Sequence, residues 1–235
     1  MTDPKNVKSK YSSMISFWNE DRSLSFTFFL LLIFIFVLVP IISPDGIGER
    51  FTRIVYSVML FTAVLSISRK KKVVTIFSIF AIVCLIINWL ADYFQTRSLL
   101  IVHDIASIFF NLIFAVAILI KTFKPGDITY QRIIGSIVVF LLMGMIFSYV
   151  FHAIYLYGGP DSFNNIKSGE LKEFMYFSFT SMTTAGYGDI TPVATLARSL
   201  ANMEGLFGQL FPAILIARLV SMEFESSQHK HEEES

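Results

Sequence analysis

The run Thr183-Thr184-Ala185-Gly186-Tyr187-Gly188-Asp189 holds the most suggestive chemistry of this chain. Its two glycines alternate with larger residues. Successive backbone carbonyls can face one way only where some residues take positive φ, and glycine does so without steric cost. Such a strand offers its oxygens as a substitute for a cation's hydration shell, in rings where several strands meet. The alternative is an ordinary glycine-rich turn, so the surroundings must decide. Other polar residues stand out because they interrupt apolar stretches: Asn88, Asp92, His103, Asp104, Asn111, His152 and Glu204. No Cys/His metal spacing, no nucleophile beside a base and no phosphate loop occurs. The sequence therefore points away from an enzyme and from an organic cofactor.

The elements that must position these residues are apolar. Of 235 residues, 54% are hydrophobic and 16% charged. Soluble domains carry about 45–50% apolar and about 25% charged residues, so the balance points to a membrane protein in contact with a lipid bilayer. A net charge of +1 gives no electrostatic case for nucleic acid as partner. The lone Cys84 cannot form an intrachain disulfide and reads as a small buried apolar side chain. A crossing helix needs about 20 mostly apolar residues. Five stretches meet this: 24–42, 51–68, 73–91, 99–120 and 133–156. A sixth, 196–222, is interrupted by glycine and carries Glu204. The segment 170–182 is too short to cross and precedes the glycine-rich run. It is a re-entrant candidate, tolerated at membrane depth only where protein or water covers it.

Positive charge sets the orientation. Lys5, Lys8, Lys10 and Arg22 precede the first stretch. Arg69 to Lys72 lie between the second and third, and Lys121, Lys124 and Arg132 between the fourth and fifth. The opposite loops hold only Arg50 and Arg53, Arg97, and Lys167 with Lys172. Both termini are thus expected in the cytoplasm and the re-entrant segment outside. Pro125-Gly126 breaks the chain and Asp127 can cap the next helix. The expected organisation is a cytoplasmic leader 1–23, a four-helix unit 24–121, a linker 122–130, a second unit 131–222 and a polar tail 223–235. The fold class is all-α integral membrane, with six transmembrane helices and one re-entrant helix.

With that layout around it, the run 183–192 resembles the pore signature of potassium channels, Thr-Val-Gly-Tyr-Gly followed by Asp after a short aromatic-rich helix. The resemblance is to the six-helix, one-pore-loop, bacterial-type channels of the voltage-gated-like superfamily. It is firm over about 133–222 and one of layout over the first four helices. It implies passive K+ conduction across the inner (plasma) membrane through a selectivity filter, 184–188, built as a homotetramer. K+ would be held by the carbonyls of Thr184, Ala185, Gly186 and Tyr187, with Gly188 completing the strand and the Thr184 hydroxyl at the inner mouth. Tyr187 would brace against Tyr176 and Phe177, while Asp189, Thr180 and Thr183 support the filter. Thr180 stands where some channels carry a glutamate that bonds the filter aspartate. Ala185 stands where valine is commonest, which leaves a weakly selective cation channel open. A regulatory subunit assembling with another channel is the non-transport alternative.

Gly208 lies twenty residues after Gly188, matching the family's hinge glycine, with Gly205 and Pro212 close by. A hinge that kinks the last helix is expected there, against close packing through small residues. Glu204 would bond the re-entrant helix or draw cations toward the filter. The fourth stretch has no internal Arg or Lys; Arg97 and Lys121 only flank it. Steep voltage gating needs several charges, each contributing about 2.3 kcal/mol per 100 mV, so little voltage dependence is expected. Asp104 and Asn111 are seven apart and share a helix face. His103–Asp104 is a conceivable proton sensor, against plain interhelical hydrogen bonding. The short linker suggests that each four-helix unit sits beside its own pore domain.

Overall fold

A computed structural model of the chain describes residues 25, 27–39, 55, 71–94, 96–123 and 129–234. The leader, the second apolar stretch apart from Val55, and the Pro125-Gly126-Asp127 turn lie outside the described residues. The described elements are α1 (Thr27–Leu38, ending in the π-helical turn Phe34–Leu38), α2 (Lys71–Phe94), α3 (Arg97–Thr122) and α4 (Tyr130–Gly158). Next come a 3₁₀ turn (Pro160–Ser162), β1 (Phe163–Asn164), α5 (Leu171–Met182), β2 (Thr191–Pro192) and α6 (Thr195–Glu234). Among the described residues three helical segments are long and apolar enough to cross a membrane: Arg97–Ile120, Tyr130–Gly158 and Thr195–Arg218. They coincide with the fourth, fifth and sixth stretches, while α1 is a shorter apolar helix inside the first.

The chain divides into two compact units, 1–78 and 79–235. Within the first, Leu31, Phe34 and Ile35 of α1 are buried. The boundary falls within α2, and the second holds the rest of that helix from Ile79 and everything after it. The 122–130 linker separates α3 from α4 in sequence but not in packing, because the two helices lie antiparallel along one another. A Cβ on Gly135 of α4 would stand 2.8 Å from the Thr122 hydroxyl of α3. Midway, the His103 and Tyr149 rings meet edge to face at 5.8 Å. At the far end Arg97 Nε donates to the Leu156 carbonyl.

Gly158-Gly159 ends α4, with Gly159 at φ 88°, and Pro160 opens the next turn with its φ already fixed. This turn throws Phe163 back into an aromatic core with Phe147, Phe151, Phe174, Phe177 and Ala197. Phe151 and Phe177 meet at 4.9 Å, Phe163 and Phe174 at 5.4 Å, all near-perpendicular. Lipid is as apolar as these rings, so close van der Waals contact and interhelical hydrogen bonds, not water exclusion, hold helices together in a bilayer. Well-oriented aromatic pairs contribute about 0.5–1.5 kcal/mol each. The core therefore pins α5, too short to cross, between α4 and α6.

β1 pairs antiparallel with β2, Phe163 opposite Pro192 and Asn164 opposite Thr191. The amides of Val193 and Ala194 both donate to the Ser162 carbonyl. The segment after the glycine-rich run is thus sewn to the segment before α5.

Candidate functional site

The glycine-rich strand leaves the C-terminus of α5. Positive φ recurs at alternate residues: Thr184 at 59°, Gly186 at 52° and Gly188 at 76°. A Cβ on Gly186 would meet nothing within 4 Å, so glycine is required there by conformation and not by crowding. Thr184 adopts the same backbone without that freedom. A β-branched residue at positive φ is a true outlier, costing about 1–3 kcal/mol. Backbone that alternates in hand brings successive carbonyls to one side and successive N–H groups to the other. Three N–H groups of the strand are tied to α5. Thr184 N donates to the Ser181 carbonyl at 3.0 Å and Gly186 N to the Thr180 carbonyl at 3.1 Å. Thr183 donates twice to the Phe179 carbonyl, through its amide at 3.0 Å and its hydroxyl at 2.6 Å.

Residues 183–189 are exposed in the single chain. The Tyr187 ring stacks parallel on Tyr176 of α5, 6.4 Å between centroids and 6° between planes. Phe177, expected as a second brace, is turned instead into the aromatic core against Phe151 and Phe163. The Tyr176 hydroxyl bonds the Asp189 carboxylate; burial and then that carboxylate raise the phenol above its ordinary value. Asn165 Nδ2 donates to the Asp189 carbonyl at 2.8 Å. The Thr180 hydroxyl donates to Phe177 O at 2.9 Å, within its own helix, and so does not take the place of a glutamate on Asp189.

α6 runs behind α5. Glu204 is fully buried and its Oε1 lies 2.5 Å from the Ser178 hydroxyl, which also lies 2.7 Å from the Gly144 carbonyl. One node thus joins α4, α5 and α6. Oε2 has no hydrogen-bond partner among the described residues. One turn on, a Cβ on Gly208 would fall on the Met182 carbonyl at the end of α5. Gly208 therefore stands where two backbones touch. Pro212, inside α6, lacks the N–H that would bond the Gly208 carbonyl. Gly205 is less confined, with Ser181 O 3.9 Å from a Cβ placed on it.

Between α3 and α4, the buried Asp104 is 2.8 Å from His152 Nδ1 and 3.3 Å from His103 Nδ1. Asn111, on the same face, donates to the Ser107 carbonyl at 2.7 Å. The side chains of Asn88 and Asp92 lie outside the described residues. Reasoning from sequence missed Ser178, Asn165 and Glu173. Ser178 was visible as a hydroxyl on an aromatic helix. Asn165 carried only the general tolerance of asparagine for left-handed backbone, and nothing announced its partner.

Chemically, an exposed strand whose backbone alternates in hand can present carbonyl oxygens along one side, the type of ligand that a partly dehydrated cation takes. The C-terminus of α5 adds partial negative charge beside its start. Residues 136–225 match a family model described as an ion channel. The match marks residues 136–225 as similar to an ion-channel domain, and the three long apolar helices fit a membrane protein. Two curated relatives match part of the chain. Protein LctB of Bacillus caldotenax is 31% identical over 81 residues, 34% of this chain and 59% of that protein. Protein LctB of Geobacillus stearothermophilus is 34% identical over 61 residues, 26% of this chain and 45% of that protein. The chain thus spans about half the length of the curated relatives it matches. No solved structure matches the chain.

Proposed function

We propose that the chain is one subunit of a homotetrameric, potassium-selective channel of the six-helix, one-pore-loop kind. The observation that carries this is the alternation of positive φ at Thr184, Gly186 and Gly188 in a strand whose Thr183, Thr184 and Gly186 amides are tied back to α5. One strand cannot surround an ion, and four meeting on an axis form the carbonyl rings that replace a hydration shell. The exposed faces support the same assembly. Only 11% of the apolar window in Thr195–Arg218 is buried in the single chain, against 67% in Tyr130–Gly158. The inner helix therefore has most of its surface left for other copies or for an aqueous cavity.

A weakly selective cation channel is the second possibility, favoured by Ala185, which packs less behind the strand than valine would. Reversal potentials in planar bilayers, with K+ on one side and Na+ on the other, separate the two. A reversal near the K+ equilibrium potential supports the selective pore, and a reversal near zero supports the alternative. A regulatory subunit would carry no current by itself.

A further inference from the structure

The filter strand is held by two different bodies, and the handover falls at its outer mouth. From Thr183 to Gly186 every backbone tie runs to α5. The Tyr187 ring also rests on that helix. Beyond Gly188 the ties run the other way, to the segment that precedes α5. β2 pairs with β1, Asn164 Nδ2 reaches the Thr191 hydroxyl at 3.2 Å, and Ser162 O receives the amides of Val193 and Ala194. Asp189 is the joint: its carboxylate is bonded by Tyr176 of α5 and its carbonyl by Asn165 of the preceding segment. Next to it stands Gly188, at φ 76° with only the Gly186 carbonyl, 4.0 Å away, near a would-be Cβ, a residue that turns easily.

Asn165 itself sits at φ 62°. Few residues tolerate that backbone, and asparagine is one of them. Glycine tolerates it but has no donor, and aspartate tolerates it but its carboxylate accepts only. A neutral amide on a left-handed residue is the short side chain that meets both needs. We infer that Asn165 is a positioning residue of the outer mouth: its amide fixes the Asp189 carbonyl, keeps the Gly188–Asp189 backbone from turning, and so sustains conduction. This rests on the proposed pore. Asn165 touches no ion; it acts through the strand.

The test compares full-length wild type, Asn165→Gly, Asn165→Asp and Asn164→Ala in proteoliposomes. The readout is the decay of K+ flux during sustained conduction, at low and at high external K+. Asn165→Gly keeps the backbone relaxed and removes only the amide, so assembly is expected to survive. The strap predicts that flux through both Asn165 variants decays about fivefold faster, the change that one neutral hydrogen bond can make. High external K+ should slow that decay, because an ion bound to the conducting form favours it by mass action. Asn164→Ala, which loosens the same segment without touching Asp189, should decay like wild type. Unchanged decay in both Asn165 variants overturns the strap and leaves the pore standing. Equal acceleration in Asn164→Ala overturns it too, as does loss of the tetramer in both Asn165 variants. Wild type without K+-selective flux overturns the pore itself and the strap with it.

Discussion

At the scale of single residues, two carboxyl groups do different work because their surroundings differ. Glu173, in the first turn of α5, accepts the amides of Lys167, Ser168 and Gly169 at 2.8–3.0 Å, together with the Ser168 hydroxyl. Burial by itself would raise its carboxyl; those donors outweigh it and hold the group below its ordinary value. A lowered folded value means that the stabilisation is complete above the ordinary carboxylate range and is lost as the pH falls through the folded value. Amide-exchange protection at Ser168 and Gly169 should therefore be present at neutral pH and vanish on acidification. In Glu173→Gln it should be weak throughout, and protection equal to wild type would contradict this. Glu204 sits in a different setting. The Ser178 hydroxyl has one proton and two acceptors in reach, Glu204 Oε1 and Gly144 O, and Gly144 O also receives the Ser148 hydroxyl at 2.6 Å. The neutral amide of Glu204→Gln can meet the Ser178 hydroxyl as donor or as acceptor, and that variant should assemble and conduct. Glu204→Lys places an unpaired charge there, costs about 3–5 kcal/mol and should abolish assembly on size-exclusion chromatography. A tetrameric, conducting lysine variant would show that the site is wetter than the structure has it.

At the scale of elements, the close approach of α6 to α5 decides what Gly208 does. Gly208→Ala drives a methyl group into the Met182 carbonyl, a backbone atom that cannot swing aside. Such overpacking typically costs about 1–3 kcal/mol. The α5 C-terminus and the strand behind it should shift, lowering selective K+ flux and the thermal stability of the tetramer together. Gly205→Ala meets only an ordinary contact and should be tolerated. If Gly208→Ala instead alters open probability alone, with stability and selectivity unchanged, the glycine is a hinge. Much of this level was legible in the sequence. Apolar runs set the bounds of α3, α4 and α5, and Gly-Tyr-Gly with Thr184 marks the strand. The direction of Phe177 was not legible, because an aromatic on an apolar helix can face a partner strand or a core equally well. Only the tertiary position of Phe163, delivered by the Gly159-Pro160 turn, settles it. The contact between Gly208 and Met182 was equally hidden, since a glycine's spacing says nothing about which backbone will approach it.

At the scale of the whole molecule, α3 lies along α4 of the same chain, with Asp104 between His103 and His152 and Arg97 on Leu156 at the far end. In the proposed tetramer, that packing would set α3 beside the α4 of its own subunit. Between Arg97 and Lys121 α3 carries no Arg or Lys, so it has no ladder of positive gating charges to move. Open probability should accordingly vary little between −100 and +100 mV, roughly the range over which gating charges act. A steep conductance–voltage curve would place the sensor elsewhere. The most direct measurement is K+ flux into proteoliposomes, with Na+ and Gly186→Asp as comparisons. K+ flux exceeding Na+ flux, and absent from Gly186→Asp, is what a carbonyl-lined filter at 184–188 requires. Equal K+ and Na+ flux, or a Gly186→Asp variant that conducts like wild type, would contradict it.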